Sequence, residues 1–395
     1  ASGFVNALTI VTNDAADVIV LGSGGSVVDA KQGDNDITLG AANDGVHNDS
    51  ITTGNGADVF HVSDAQLTGN LAIAAGGGTD VLLLSSDAAA VDADFAQMTS
   101  VEVFRFGVDA GDDAQSVVLA ANAMAAGFAT VDLSQAGASD AVTVDASAYT
   151  LDLTVILHAG VDNVTLGSGN DTLIGGVSAG DVINLGAGND SFAITTLAAV
   201  TIDGGIDLDT LVIGAGAGSR QLDFSNGVDQ LSGAGTYLNF ENLAAENANG
   251  TLSVLAGHAT TSIVTGSRID QVDAGLADQG VSISTGASGD GIIGSAHNDS
   301  IDGGAGDDFI AGGDGNDALT GGAGSDTFVF DTALNAGSNV DTVSDFVSGS
   351  DLFQLNLDIF SALQATDGVL NANNFLSGAG AVAATATQHI ILDTT

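Results

Sequence analysis

The chain has 395 residues and no cysteine, no proline, no tryptophan and only two tyrosines. Without cysteine no disulfide can hold the fold, so stacking or metal must. Without proline every residue keeps a backbone donor, which suits a stacked sheet where one proline per coil would break the ladder. Bases are nearly absent: Lys31, Arg105, Arg220 and Arg268 face fifty acidic residues, a net charge of −46. That field excludes nucleic acid and anionic membrane surfaces as direct partners. No stretch reads as a membrane span, because the longest uncharged segments, residues 114–131 and 368–392, carry Gln, Asn, Ser and Thr. The opening ASGFVNALTI lacks a basic region and a methionine, so a fragment or a processed chain is expected.

Catalytic signatures are also missing. There is no HExxH, and the six histidines (His47, His61, His158, His258, His297, His389) are scattered. GVSAG, Gly176 to Gly180, matches the GxSxG elbow, but that pattern needs a helix after the serine. DVINLGAGND follows Ser178 instead, and there is almost no aromatic lining for a cleft. The chain therefore reads as a non-enzyme.

What is present is one-sided. Only Glu102, Glu241 and Glu246 are glutamates, which leaves 47 aspartates; there are 56 glycines, and 45% of residues are hydrophobic. A disordered polyanion would not carry so much apolar content. The shorter acid suits turns and metal sites.

From Gly303 the chain reads GGAGDDFIA, GGDGNDALT, GGAGSDTFV. GGxGxD is turn chemistry, since glycine reaches positive φ without steric cost. The remaining triplet is long enough for a short strand only. Two nonapeptides make one coil of eighteen residues, and coils stack about 4.8 Å apart through backbone hydrogen bonds. The inward position falls at Ile283, Ile292, Ile301, Ile310, Leu319 and Phe328, and the acid at Asp290, Asp299, Asp308, Asp317 and Asp326. Turns alternate sides, so Asp290, Asp308 and Asp326 should share one edge, and Asp299 and Asp317 the other. Such a column repels itself and needs a cation. Carboxylates beside the carbonyls of Gly303, Gly304, Gly306, Gly312, Gly313, Gly315, Gly321, Gly322 and Gly324 make a hard-oxygen site, which favours calcium over magnesium.

This stretch resembles the RTX family, whose GGxGxDxUx nonapeptide forms a calcium-bound parallel β-roll. The resemblance implies an all-β fold, a right-handed parallel β-roll or β-helix. Worn copies follow the same register elsewhere. Residues 157–193 carry Asp162, Asp171, Asp181 and Asp190; DGVHNDSIT and TGNGADVFH carry Asp49 and Asp58; GGGTDVLLL and GGIDLDTLV carry Asp80 and Asp209. GADVF, GNDSF and GSDTF set Asp58, Asp190 and Asp326 in equivalent places, so three related modules are expected. Their bounds are a degenerate module over 1–140, a second with a strand-rich insert over 141–284, regular nonapeptides over 285–330, and a cap over 331–395. Segments 84–156 and 213–284 keep strand alternation without the glycine spacing. They read either as metal-free continuation of the stack or as β-sandwich inserts. AANAMAAG is open to a helical turn.

After Phe328 the chain resembles the region that follows such repeats in type I-secreted proteins. The resemblance implies a cap, an uncleaved C-terminal export signal, and further calcium ligands at Asp341 and Asp345. In that family a tail like QHIILDTT continues into another strand, so the native C-terminus is expected to lie further on. The composition also resembles RTX-type bacterial surface-layer proteins. The expected protein is an extracellular, calcium-binding structural one at the bacterial surface, self-associating into a layer or fibre, with a cell-surface polysaccharide as a candidate partner. The alternative is the calcium-binding export region of a larger exoenzyme or adhesin.

Overall fold

The computed structural model describes residues 8–22, 24–40, 49–85, 89–108, 114–194, 200–214, 220–225, 229–231, 235–248, 250–333, 337–356 and 358–359, and short strands at 365–366, 369–370, 375–377 and 390–392. The chain divides into two compact units, Ala1–Gly266 and Ser267–Thr395. Each is a β-solenoid.

In the second unit the register is the nonapeptide's own. Gly291–Ile293, Phe309–Ala311 and Thr327–Phe330 pair in parallel, so Ile292 lies beside Ile310 and Ile310 beside Phe328. The opposite sheet stacks Ser282–Ser284, Ser300–Asp302 and Ala318–Thr320, with Ile283, Ile301 and Leu319 in file. All six inward side chains are at most 2% exposed. Each contributes about 1.5–3 kcal/mol by leaving water, which is little per coil. Thr342–Val343 and Leu352–Leu355 extend the two sheets by one strand each. There Phe346 stacks on Phe353 at 4.3 Å between ring centres, and Phe353 meets Phe328 and Phe330.

The first unit repeats the plan with looser spacing. Consecutive strands fall in facing sheets, and each pairs with the strand one coil away. Asp36–Thr38, Val59–Val62, Val81–Leu84, Val103–Phe106, Thr130–Asp132, Thr154–Ile156, Thr172–Ile174, Ser191–Ile194 and Thr210–Ile213 run as one parallel file. The strand-rich segments 84–156 and 213–266 therefore continue the stack. One departure is antiparallel: Asp229–Leu231 sits between Arg220–Asp223 and Gly235–Leu238.

Where glycine turns stop, side chains hold the coil. Arg105 Nε donates to Asp132 Oδ2 at 2.7 Å. AANAMAAG does form a helix, Ala121–Ala126, closed by Gly127 at φ 104°. The Asp92 carboxylate accepts the N–H groups of Ala120, Asn122 and Ala123 at 2.8–3.1 Å, satisfying that helix start. Beneath it Phe95, Phe104, Phe106 and Phe128 pack edge to face at 5.0–6.0 Å. Among the described residues no helix is long and apolar enough to cross a membrane.

Candidate metal-binding ladders

The aspartates of the turns are buried, not fringed on the surface: Asp290, Asp299, Asp308, Asp317 and Asp326 are 1–3% exposed. They form two ladders. On one edge the N–H of Asp270 donates to Asp290 Oδ1 at 2.7 Å, Asp290 to Asp308 at 2.8 Å, Asp308 to Asp326 at 3.0 Å and Asp326 to Asp351 at 3.1 Å. On the other, Val281 donates to Asp299 at 2.7 Å, Asp299 to Asp317 at 2.9 Å and Asp317 to Asp341 at 3.2 Å. The pleat explains this. Each strand starts at its aspartate, so the coil below offers an N–H and the coil above a carboxylate. Asp345, expected beside Asp341, stands elsewhere and accepts the N–H groups of Gly321 and Gly322 at 3.0 and 2.6 Å.

The first unit carries the same construction twice. Asn35 donates to Asp58, Asp58 to Asp80 and Asp80 to Glu102 Oε2, at 2.8–2.9 Å. Asp171 donates to Asp190, Asp190 to Asp209 and Asp209 to Glu241 Oε2, at 2.7–2.9 Å. In both ladders the last acid is a glutamate. Ser100 and Asn239, each two residues before it, hold φ of 56° and 55°. Glu102 and Glu241 lie outside any nonapeptide; their rarity, and their places in SVEVFRF and LNFENLA, which follow GGGTDVLLL and GGIDLDTLV in turn, are the signals in the sequence. On the opposite edge, Ser26 donates to Asp49 at 2.6 Å and Asp162 to Asp181 at 2.9 Å.

One oxygen of each carboxylate is spent on the ladder; the second sorts the turns into two kinds. Oδ2 has no hydrogen-bond partner in Asp58, Asp80, Asp190, Asp209, Asp290, Asp308 and Asp317, all buried. Six of these seven share a local feature: the residue four before the acid is a glycine at positive φ. Those glycines are Gly76, Gly186, Gly205, Gly286, Gly304 and Gly313, at 88–112°. At Gly303 an added Cβ would lie 2.5 Å from Asp308 Oδ2, so the free oxygen stands over the bare face of the first turn glycine. We call these turns open.

In the closed turns at Asp162, Asp299 and Asp351 the residue at that fourth position is not glycine, and its N–H turns back on the acid. The Ser295 N–H donates to Asp299 Oδ2 at 2.6 Å, with its Oγ at 2.9 Å from Oδ1. The Val347 N–H donates to Asp351 Oδ2 at 2.6 Å. The His158 N–H donates to Asp162 Oδ2 at 3.2 Å, and its ring Nδ1 lies 2.7 Å from Oδ1. Asp181 is closed one residue later, by the Ser178 N–H at 2.7 Å. That accounts for Ser178: its Oγ donates to the Ala159 carbonyl at 2.7 Å, and the strand Val182–Asn184, not a helix, follows.

Burial raises the carboxyls. It pushes Asp190, Asp290 and Asp317 up to about 7, and Asp80, Asp171 and Asp209 up to about 6; neighbouring carboxylates add to it and the ladder N–H groups oppose it. Asp162, Asp181, Asp299, Asp308, Asp326 and Asp341 are raised for the same first reason. A buried carboxylate with an unpaired oxygen is costly unless a proton or a cation sits against it.

Among the described residues no three side chains of His, Cys, Asp or Glu converge on one point. A cation at an open turn would therefore take most of its donors from backbone carbonyls. The donor set is all oxygen, one or two carboxylates with turn carbonyls, and it fits calcium.

Fold and ladder together define the class: a parallel β-roll whose coils are joined by buried aspartates. The model of the RTX calcium-binding nonapeptide repeat matches the chain in four copies, over residues 158–192 and 293–328. Those stretches carry RTX calcium-binding nonapeptide repeats. No curated protein matches it.

Proposed function

We propose that this is a secreted structural protein that folds on calcium outside the cell and then self-associates into a layer or fibre. The observation behind the calcium reading is the set of buried, unpaired Oδ2 atoms at Asp290, Asp308 and Asp317. Calcium supplies the positive charge that the ladders lack. In the proposed assignment Asp58, Asp80, Asp190, Asp209, Asp290, Asp308 and Asp317 hold the ions, with carbonyls of Gly303, Gly304, Gly306, Gly312, Gly313, Gly315, Gly321, Gly322 and Gly324 completing the regular sites. Asp49, Asp171, Asp326 and Asp341 stand in the same ladders and take supporting places. Asp345 serves as a cap for Gly321 and Gly322.

The structural role is favoured by how the length is used. Coils extend through most of the described residues of both units, and the one motif with a catalytic form, at Ser178, is a closed turn. Export through a type I channel fits a chain that stays unfolded where calcium is scarce. The segments that would carry the export signal, including most of QHIILDTT, lie outside the described residues. The test is the full chain with several equivalents of calcium, read by circular dichroism, light scattering and electron microscopy. The proposal expects calcium-dependent β signal followed by lattices or fibres. A calcium-folded monomer at high concentration would favour the export-region alternative instead.

A further inference from the structure

The turn at residues 157–162 breaks the pattern of its neighbours. It lies inside the family match, yet the position held by glycine in open turns is His158. The imidazole is fully buried, as is the Asp162 carboxylate. Its Nδ1 is 2.7 Å from Asp162 Oδ1, and its Nε2 is 3.2 Å from the Asp140 carbonyl oxygen. A carbonyl oxygen only accepts, and so does an ionised carboxylate. Nε2 is therefore the donor to the Asp140 carbonyl, and Nδ1 and Asp162 Oδ1 share one proton between ring and carboxyl. The His158 N–H takes Asp162 Oδ2, so neither oxygen of Asp162 is left for a metal. There is also no spare room, because a Cβ at Gly160 would overlap His158 Nε2.

We infer that the His158 side chain takes the place of calcium at this turn, so that the Asp162 coil is a metal-independent joint within a metal-dependent roll. The inference rests on the calcium reading of the open turns and narrows it. Asp162, an expected ligand from its spacing, holds no ion. The coil at 157–165 is then able to stay paired with its neighbours before calcium arrives. Its partners are in place: Ala141–Asp145 on one side and Val182–Asn184 on the other. A side chain already in place costs no binding step. It also leaves one coil from which the metal-dependent coils on both sides can be ordered.

The test counts calcium ions on the full chain by native mass spectrometry, for the wild type and for Asp162→Asn, Asp317→Asn and His158→Gly. Asp317→Asn is expected to lose at least one ion, because it removes an open-turn carboxylate. Asp162→Asn should keep the wild-type count, and His158→Gly, which restores glycine at the open-turn position, should gain one ion. Hydrogen exchange in EDTA gives a second reading: residues 157–165 should retain protection in the wild type and lose it in His158→Gly. An Asp162→Asn chain that loses an ion, beside a wild type that binds them, overturns the assignment of His158. A chain that binds no calcium in any form overturns the reading of the open turns themselves.

Discussion

Metal-free and calcium-loaded chains should respond to pH in opposite directions. Asp290 and Asp317 are pushed up to about 7 in the folded chain, from an ordinary value of 3.8. A folded-state value above the unfolded one means that the native chain binds more protons across that interval. Stability without metal therefore falls as pH rises from about 4 to about 7, and recovers as pH falls. At 1.36 kcal/mol per unit, each such carboxyl costs folding roughly 4 kcal/mol when fully ionised, and acidification from about pH 8 to about pH 5 returns about 2–3 kcal/mol of it. Two in the second unit return roughly 5 kcal/mol if independent, less where the ladder couples them. That is comparable with the whole stability of a small domain.

With calcium the sign reverses. The ion binds the carboxylate, so a proton must leave first. For a carboxyl near 7, half protonated already at that pH, the calcium affinity of its turn should drop by about 50-fold between about pH 7 and about pH 5. The assay is the folded fraction of the full chain by circular dichroism as a function of pH, with urea wherever a transition is present, in EDTA and in saturating calcium. It is paired with calcium titrations at three pH values. Stability in EDTA that is flat or falling toward pH 5, or a calcium midpoint that does not move, would refute the claim that these carboxyls are buried, unpaired and metal-seeking.

Three substitutions probe separate parts of the design. Asp308→Ala removes an open-turn carboxylate and leaves the Asp290 N–H without its acceptor; it should raise the calcium midpoint for folding several-fold and cost about 1–3 kcal/mol at saturation, measured by the same titration. Gly322→Ala places a Cβ against the Gly304 carbonyl at a φ of 96°; a loss of about 1–3 kcal/mol in calcium-loaded thermal unfolding is expected. Phe104→Ala empties a fully buried site in the aromatic cluster of the first unit; it should lower stability by about 3–5 kcal/mol and leave the number of bound calcium ions unchanged by native mass spectrometry.

The regular coils were legible because their period is both chemical and geometric. Nine residues return the chain to the same turn, so Ile283 to Phe328 fix the inward file and Asp290 to Asp326 fix the two edges. The first unit hid its register because its coils differ in length. Asp36, Val59 and Val81 share one file at spacings of 23 and 22 residues, and no fixed period reveals that pairing. The antiparallel strand Asp229–Leu231 had no turn signature that singled it out. The ladder hydrogen bonds were not legible at all, since spacing alone treats the column as bare repulsion. In the structure each carboxylate is half satisfied by an N–H from the next coil.

That half-satisfaction explains why the residue four before the acid carries so much of the chemistry. A glycine at positive φ turns its own N–H away from the aspartate and leaves Oδ2 for a cation. Ser295 and Val347, which are not at positive φ, direct their N–H onto Oδ2 instead. The acid is then a structural hydrogen-bond acceptor with nothing to offer a metal. The motif's aspartate is common to both kinds of turn, so on the proposed assignment counting aspartates overestimates the metal sites. The second glycine of GGxGxD is the better index. It is also the residue a single point mutation most easily converts, to serine or to a larger side chain, with the carboxylate left in place. A roll built this way can exchange a metal-held coil for a hydrogen-bonded one without moving its core file, because Ile292 and Ile301 pack alike behind an open turn at Asp290 and a closed one at Asp299.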